Sequence, residues 1–397
     1  MIPPICVKYK VEHWIEISSA FYYVERMVRL VRNTMNFVDL CRGEFGRKVA
    51  YTGVDRITPQ NVVKVVSDTI GIHNRNRTLI DYLYRYMKGD QPILYRNKIV
   101  RPEVNNRVVE NHAFETVKFK AGQICGEPIQ YVCKKKNADK KINEQVDLLN
   151  DYLDEANADA RNIQRAIYQS ATGTSYKAIL KEEDWTENGD LPPFRIFIPY
   201  PGDCYIVYSQ RNGKPMLSVQ ILKDEDEQQY YLCYSKNQFF KIMNGKVTEY
   251  GINGFGGIPI VECPNNHDRL SDVEIAITLF DAINKYQSDR LNGVEQFVQS
   301  FMKFKNCEVD KNEFLEMVKL GAISVKDTGN GCQSDVELMT AELNQSESQV
   351  AKDDIYNNML IVEAMPNRQS NSGGDTGNAV YLRNGWDFAE RDAKLVE

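Results

Sequence analysis

Proline punctuates the first two thirds of this chain and then almost vanishes. Thirteen of the fourteen prolines lie at or before Pro264, and the last is Pro366. Proline removes a backbone donor and clashes with the preceding helical turn, so a tract of about a hundred residues without it is free to be helical throughout. A compact enzyme has little use for helices of that length near one end, whereas subunits arranged radially around a channel do.

Within the tract the helix signals are explicit. Ser271-Asp272-Val273-Glu274 is a capping box. Apolar residues then recur at 273, 276, 280, 283, 291, 294, 298 and 301, with Gln287 as the polar break, which predicts one helix of roughly 35 residues and on the order of 50 Å. An insert follows: Asp310 as N-cap, a short helix stopped at Gly321, and strands at 322–326 and 333–338 joined through Thr328-Gly329-Asn330-Gly331. A second helix is predicted at 337–364, closed by Pro366. Over 339–364 it carries Glu342, Glu347, Asp353, Asp354 and Glu363 against Lys352 alone, a net charge of −4. Such a surface repels phosphate and suits a wall that nucleic acid slides past; a plain solvent-facing helix has the same composition. Residues 367–378 have no apolar side chain and read as a loop whose one cation is Arg368, and another helix begins near Ala379 and is still in progress at Glu397.

Upstream, 11–37 reads as a helix bearing Arg26, Arg29 and Arg32, and Thr58-Pro59 as a helix start. A helix runs from Asn111 to the loop at Gly126, and another spans 143–169 behind the lysines at 134–136, 140 and 141. Between 194 and 247 the period changes to two, with Asn212-Gly213 and Asn244-Gly245 as hairpin turns of an antiparallel meander. The glycines at 251, 254, 256 and 257 match no phosphate-binding spacing and read as a connector.

Composition narrows the classes. A net charge of −6 leaves no global basic footprint, and no apolar run is long enough to span a membrane. The N-terminus lacks the apolar core of a signal peptide, so a cytoplasmic origin is expected. Nine scattered cysteines without a C-x-x-C pair read as reduced packing residues, and four histidines without ligand spacing argue against zinc. For an enzyme in the 111–260 region, Asp203 and Glu262 could pair as carboxylates, although surface acids are the commoner case, and no nucleotide loop or nucleophile elbow accompanies them.

Several stretches resemble the portal proteins of tailed bacteriophages with long non-contractile tails. They are Tyr86-Met87-Lys88-Gly89-Asp90-Gln91-Pro92-Ile93; Asn111 through Gly126-Glu127-Pro128-Ile129-Gln130-Tyr131; Gly257-Ile258-Pro259-Ile260-Val261-Glu262 with Pro264-Asn265-Asn266; and Ala364-Met365-Pro366-Asn367 with Gly373-Gly374 and Thr376-Gly377-Asn378-Ala379-Val380. Their order over about 300 residues, with helix, insert, helix, loop and helix in sequence, carries the resemblance.

The resemblance implies an α+β portal fold in a ring of twelve. Its parts would be a wing at 1–267 with the meander at about 194–250, stem helices at 268–305 and 337–364, a clip at 306–336, a tunnel loop at 365–378, and at 379–397 a wing helix leading to a crown not present in this chain. Stem packing falls to Phe297 and Phe301. The channel face falls to Glu342, Glu347, Asp353 and Asp354. Clip contacts fall to Glu313, Glu316 and Lys319, and DNA-facing loop positions to Asn367, Arg368, Gln369, Ser370, Asn371, Ser372, Gly373 and Gly374. Implied partners are the large terminase subunit, a head–tail adaptor, major capsid and scaffolding proteins, and double-stranded DNA passing without sequence specificity; no membrane, cofactor, metal or catalytic residue is implied. The location is the capsid vertex of a virion assembled in the host cytoplasm. Arg368 either makes transient phosphate contacts or pairs with Glu363 or Asp375. Ser372 stands where the family often has an aromatic, so no stacking role is expected of the loop. Two other readings stay open: a different phage head or neck protein, and an enzyme.

Overall fold

The computed structural model describes residues 37–99, 101–133, 140–186, 191–298, 301–305, 310, 312, 335–339, 345–368 and 377–396. In chain order its elements are α1 (Phe37–Cys41), β1 (Ala50–Thr52), α2 (Val62–Met87), a short 3-10 turn (Pro92–Tyr95), α3 (His112–Cys125), α4 (Lys140–Glu155), α5 (Ala158–Thr172), β2 (Thr174–Lys181), β3 (Phe194–Phe197), and β4 (Cys204–Ser209). There follow β5 (Pro215–Lys223), β6 (Gln229–Tyr234), β7 (Gln238–Met243), β8 (Lys246–Ile252), β9 (Ile260–Pro264), α6 (Asp272–Val298), β10 (Phe301–Lys305), β11 (Asp335–Met339), α7 (Gln345–Val362), α8 (Gly377–Arg383) and α9 (Trp386–Val396). Helices and strands thus mix as an α+β chain.

Two cores meet along α2. A six-stranded sheet in the order β1-β4-β5-β6-β7-β8 buries Tyr205, Val207, Leu217, Val219, Cys233, Phe240 and Ile242 against Val62, Val65 and Val66 at the start of α2. The other end of α2 (Tyr82, Leu83, Tyr86 and Met87) joins a helical core with Ala113 and Val117 of α3, Val273, Ile277 and Phe280 of α6, and Met359 and Leu360 of α7. A separate sheet, β3-β2-β9, backs onto β4. Both Asn-Gly hairpins form, with positive φ at Gly213, Asn244 and Gly245, as tight turns between twisted strands require. Gly173, at φ +83°, caps α5, and a Cβ there would lie 2.0 Å from the Arg269 carbonyl oxygen. Only glycine allows that approach.

Four expectations need correction. The helix beginning at the capping box ends at Val298, so Phe297 belongs to α6 but Phe301 opens β10. β10 pairs antiparallel with β11, and the register places Lys303 opposite Glu337 and Lys305 opposite Asp335. The three-residue step from 298 to 301 mimics helix spacing, but the backbone of 301–305 pairs with 335–339 instead. The second helix starts at Gln345, with Glu337 in a strand that pairs with β10, while 322–326 lie outside the described residues. The 143–169 helix is two, broken at Asn157, which sits in the left-handed region at φ 53°. Thr58-Pro59 opens a turn in which the Thr58 carbonyl accepts from Asn61 and Val62 N–H, and regular helix follows from Val62. The helix at 11–37 with its arginines, the lysines at 134–136, Glu313, Glu316, Lys319, Glu342, and Gln369, Ser370, Asn371, Ser372, Gly373 and Gly374 lie outside the described residues.

Candidate functional site

The site grows from the pairing of α6 with an extended lead-in to α3. Asn292 Oδ1 accepts from the backbone N–H of Asn106 (2.7 Å), Ser288 Oγ from Val108 (2.9 Å), and Asn284 Oδ1 from Glu110 (2.8 Å). Four helical residues advance about 6.0 Å and two extended residues about 6.6 Å, so polar side chains spaced by four on a helix match alternate N–H groups of an extended segment. All three are buried. They satisfy backbone donors that no strand reaches. The network continues: Asn284 donates to Gln91 Oε1, Gln91 Nε2 donates to Asn111 Oδ1 (3.0 Å), and Asn111 Nδ2 donates to the Met87 carbonyl (3.0 Å). Asn111 also caps α3, accepting from Phe114 N–H at 3.4 Å.

This scaffold presents three ionisable groups, Glu110, His112 and Glu115, towards α7. His112 Nδ1 lies 2.9 Å from Glu115 Oε2, and Nε2 lies 3.2 Å from Glu110 Oε2. Lys352 of α7 donates to Glu110 Oε1 at 2.6 Å. Arg368, just beyond α7, pairs with Glu115 Oε1. Of the two partners expected for Arg368, Asp375 lies outside the described residues and Glu363 does not hold it. Glu363 is instead buried beside Asp272, Lys120 and Asp392 with its Oε1 unbonded, and burial first, then the Asp272 charge, pushes its carboxyl well above the usual range.

α7 presents Asp353 and Asp354 to solvent, where they accept from Gln349 (2.7 Å) and Asn358 (3.4 Å). Glu347 lies in the same helix. Since Lys352 is taken by Glu110, the outward charge of α7 is acidic. The helix ends in a Schellman motif: Met365 N–H donates to the Leu360 carbonyl (2.8 Å) and Ala364 N–H to Ile361 (3.2 Å). The left-handed position is Ala364, at φ 50°, where a Cβ is strained. Ala364→Gly should therefore stabilise the fold by about 1 kcal/mol in urea unfolding; an unchanged or lower midpoint contradicts that. Asn367 holds the chain after the motif, its N–H on the Asn384 carbonyl (3.0 Å) and its Nδ2 on Asn357 Oδ1 (3.0 Å).

The carboxylates weighed for an enzyme do not pair. Asp203 is bound by Arg77 at 2.9 Å, and Glu262 by Arg269 at 2.7 Å with the Tyr208 hydroxyl at 2.6 Å. Both are tied into structural ion pairs. No sequence signal marks Glu110, His112 and Glu115, whose grouping depends on where α7 lands.

The family model for phage portal proteins of the SPP1 Gp6-like type matches residues 67–383, which contain α3, α6, α7 and α8. The chain belongs to that family. It is a structural family, which makes the chain a component of a phage particle. A solved structure described as "Neck of native GTA particle computed with C12 symmetry" is similar over 70% of this chain and 73% of its own, at 12% identity and a TM-score of 0.38, too low to carry argument. No curated protein matches. Among the described residues no helix is long and apolar enough to cross a membrane.

Proposed function

We propose that this chain is the subunit of a closed ring of twelve that sits at one capsid vertex and surrounds double-stranded DNA, admitting it during packaging and releasing it at ejection. In this reading residues 1–267 form the wing, in contact with capsid and scaffolding proteins. α6 and α7 form the stem. Residues 306–336 form a clip that engages the large terminase subunit and later the head–tail adaptor, and 365–378 form a loop directed into the bore, ahead of the wing helix. Assembly takes place in the host cytoplasm. The supporting observation is the order α6, β10–β11, α7, α8 inside the span matched to the portal family. The acidic outward charge of α7 agrees with it, because like charge removes the wells in which a sliding phosphate backbone would lodge.

Negative-stain imaging of the purified chain should show rings with a central hole. Phe297→Asp should abolish them, since a ring interface is heterologous and must repeat one patch pair around its axis. Deleting 372–376 should leave rings intact while impairing translocation or retention of DNA. Charge reversal at Glu313, Glu316 and Lys319 should spare rings but weaken motor and adaptor engagement. Normal packaging by the deletion variant removes the loop from the mechanism, and absence of any ring in the wild type removes the reading as a whole.

A further inference from the structure

Both ring nitrogens of His112 face carboxylate oxygens. A carboxylate oxygen only accepts, and a neutral imidazole has one N–H, so the two bonds coexist only in the imidazolium. Each carboxylate turns its other oxygen to a cation: Glu110 to Lys352, and Glu115 to Arg368. The result is one row of alternating charge, Lys352–Glu110–His112–Glu115–Arg368. It ties α7 and the residues just beyond it to the N-terminus of α3. The groups facing His112 are Glu110 and Glu115 from its own segment, Lys352 and Tyr356 from α7, and Arg368 beyond it. The Tyr356 ring lies 5.0 Å from the imidazole centroid.

Lys352 and Arg368 are the two basic residues in 345–368. We propose that His112 is a positioning residue that aims Glu110 and Glu115 at these two cations and so keeps them from phosphate, giving the DNA-facing wall its repulsive character. This rests on the portal reading for its consequence but not for its geometry. Burial pulls the imidazole pKa down, and the bonds to Glu110 and Glu115 outweigh it and hold His112 above its ordinary value. The same bonds hold both glutamates below theirs. When His112 loses its proton, one carboxylate meets a lone pair, and the row opens at that point. The acidic α7 is then no neutral bystander but a surface whose cations are captured by the wing. Sequence charge alone cannot reveal that, because Glu115 and Arg368 are 253 residues apart.

The test measures binding of the full chain to a short mixed-sequence DNA duplex by fluorescence anisotropy across about 50 to 200 mM salt. The wild type should bind weakly, with a shallow salt slope. Glu110→Gln/Glu115→Gln should bind several-fold tighter, with the slope of log K on log salt steeper by about 1.8, the increment for two added phosphate contacts. Adding Lys352→Gln and Arg368→Gln to that variant should return both values to the wild-type level. His112 followed by NMR should titrate above its ordinary value, and wild-type affinity for the duplex should rise through that titration. A ring-forming Glu110→Gln/Glu115→Gln variant with unchanged DNA affinity, or a His112 that titrates at or below its ordinary value, overturns the proposal. If the glutamate variant fails to fold, the wild-type pH series decides in the same way. A wild type that makes no rings defeats the portal reading yet leaves the affinity comparison in force.

Discussion

Glu274→Ala should be among the most destabilising single substitutions in this chain, costing about 3–5 kcal/mol in urea unfolding, the range for removing one partner of a buried ion pair. Arg47 and Glu274 form that pair with side chains 1% and 0% exposed. Burial drives the Glu274 carboxyl up and the Arg47 guanidinium down, while their mutual attraction opposes both shifts. Glu274 also accepts from Gly46 N–H at 2.7 Å. It is the last residue of the capping box, in which Ser271 Oγ accepts from Val273 N–H (3.0 Å) and the Ser271 hydroxyl reaches the carbonyls of Ser170 (3.0 Å) and Ala171 (2.8 Å). The Glu274 carboxylate therefore joins the segment leading to β1 to the start of α6, and the Ser271 hydroxyl ties that start to the end of α5. Alanine leaves a charged guanidinium in a dry site with its countercharge gone. Arg47→Met/Glu274→Leu removes both charges and fills the space, and should recover most of the loss. A cost below about 1 kcal/mol for Glu274→Ala would show that Arg47 has another outlet and that the pair is not the clamp described.

The capping box shows how far sequence reading reaches. Its spacing located the start of α6, because an N-cap is a local contract between residues three apart. The two Asn-Gly turns were legible for the same reason. What failed was the end of α6 and the start of α7. The 298-to-301 step continues a helical rhythm, and only the distant β11 decides in favour of strand, a non-local choice that periodicity cannot see. β1 was hidden likewise: three residues pair in parallel with Val207 to Ser209, more than 150 positions on. The polar residues 284, 288 and 292 have no apolar signal in the sequence, yet all are buried, because the lead-in to α3 brings unpaired N–H groups to them. Gln91 and Asn111 stood out as letters of family-like segments. The structure gives them a shared physical task, since they bond to each other and fix the helix from which Glu110, His112 and Glu115 reach α7. Of the candidate site, Asp353, Asp354 and Arg368 were legible in the sequence, but Glu110 and Glu115, which engage Lys352 and Arg368, were not.

Between about pH 4 and 6 stability should be nearly flat as far as two buried groups are concerned, and one substitution should tilt it. Burial raises the Asp281 carboxyl to about 6 despite the Tyr86 hydroxyl that donates to it at 2.8 Å. Below about pH 4 the acid is neutral in folded and unfolded chains alike. As pH rises from there to 6, the unfolded chain releases a proton that the fold retains, so stability is lost, by about 3 kcal/mol for a shift of two units. His73 acts with the opposite sign. Burial first, and Arg77 as a lesser opponent, lower it to about 4, against the bond its Nε2–H donates to the Gly202 carbonyl at 2.8 Å. As pH falls from about 6.5 to 4 the unfolded chain takes up a proton that this neutral, Tyr205-stacked ring refuses, and about 3 kcal/mol is lost in that direction. The two slopes oppose each other in the same window. Asp281→Asn keeps an acceptor for Tyr86 and removes one of them. The variant should exceed the wild type by about 2–3 kcal/mol at pH 7, match it near pH 4, and decline steeply with acid in between. Other titrating groups shift both curves together, so the difference between variant and wild-type urea midpoints isolates Asp281. A difference independent of pH would mean that Asp281 is ionised in the fold at pH 4 and that burial does not govern it.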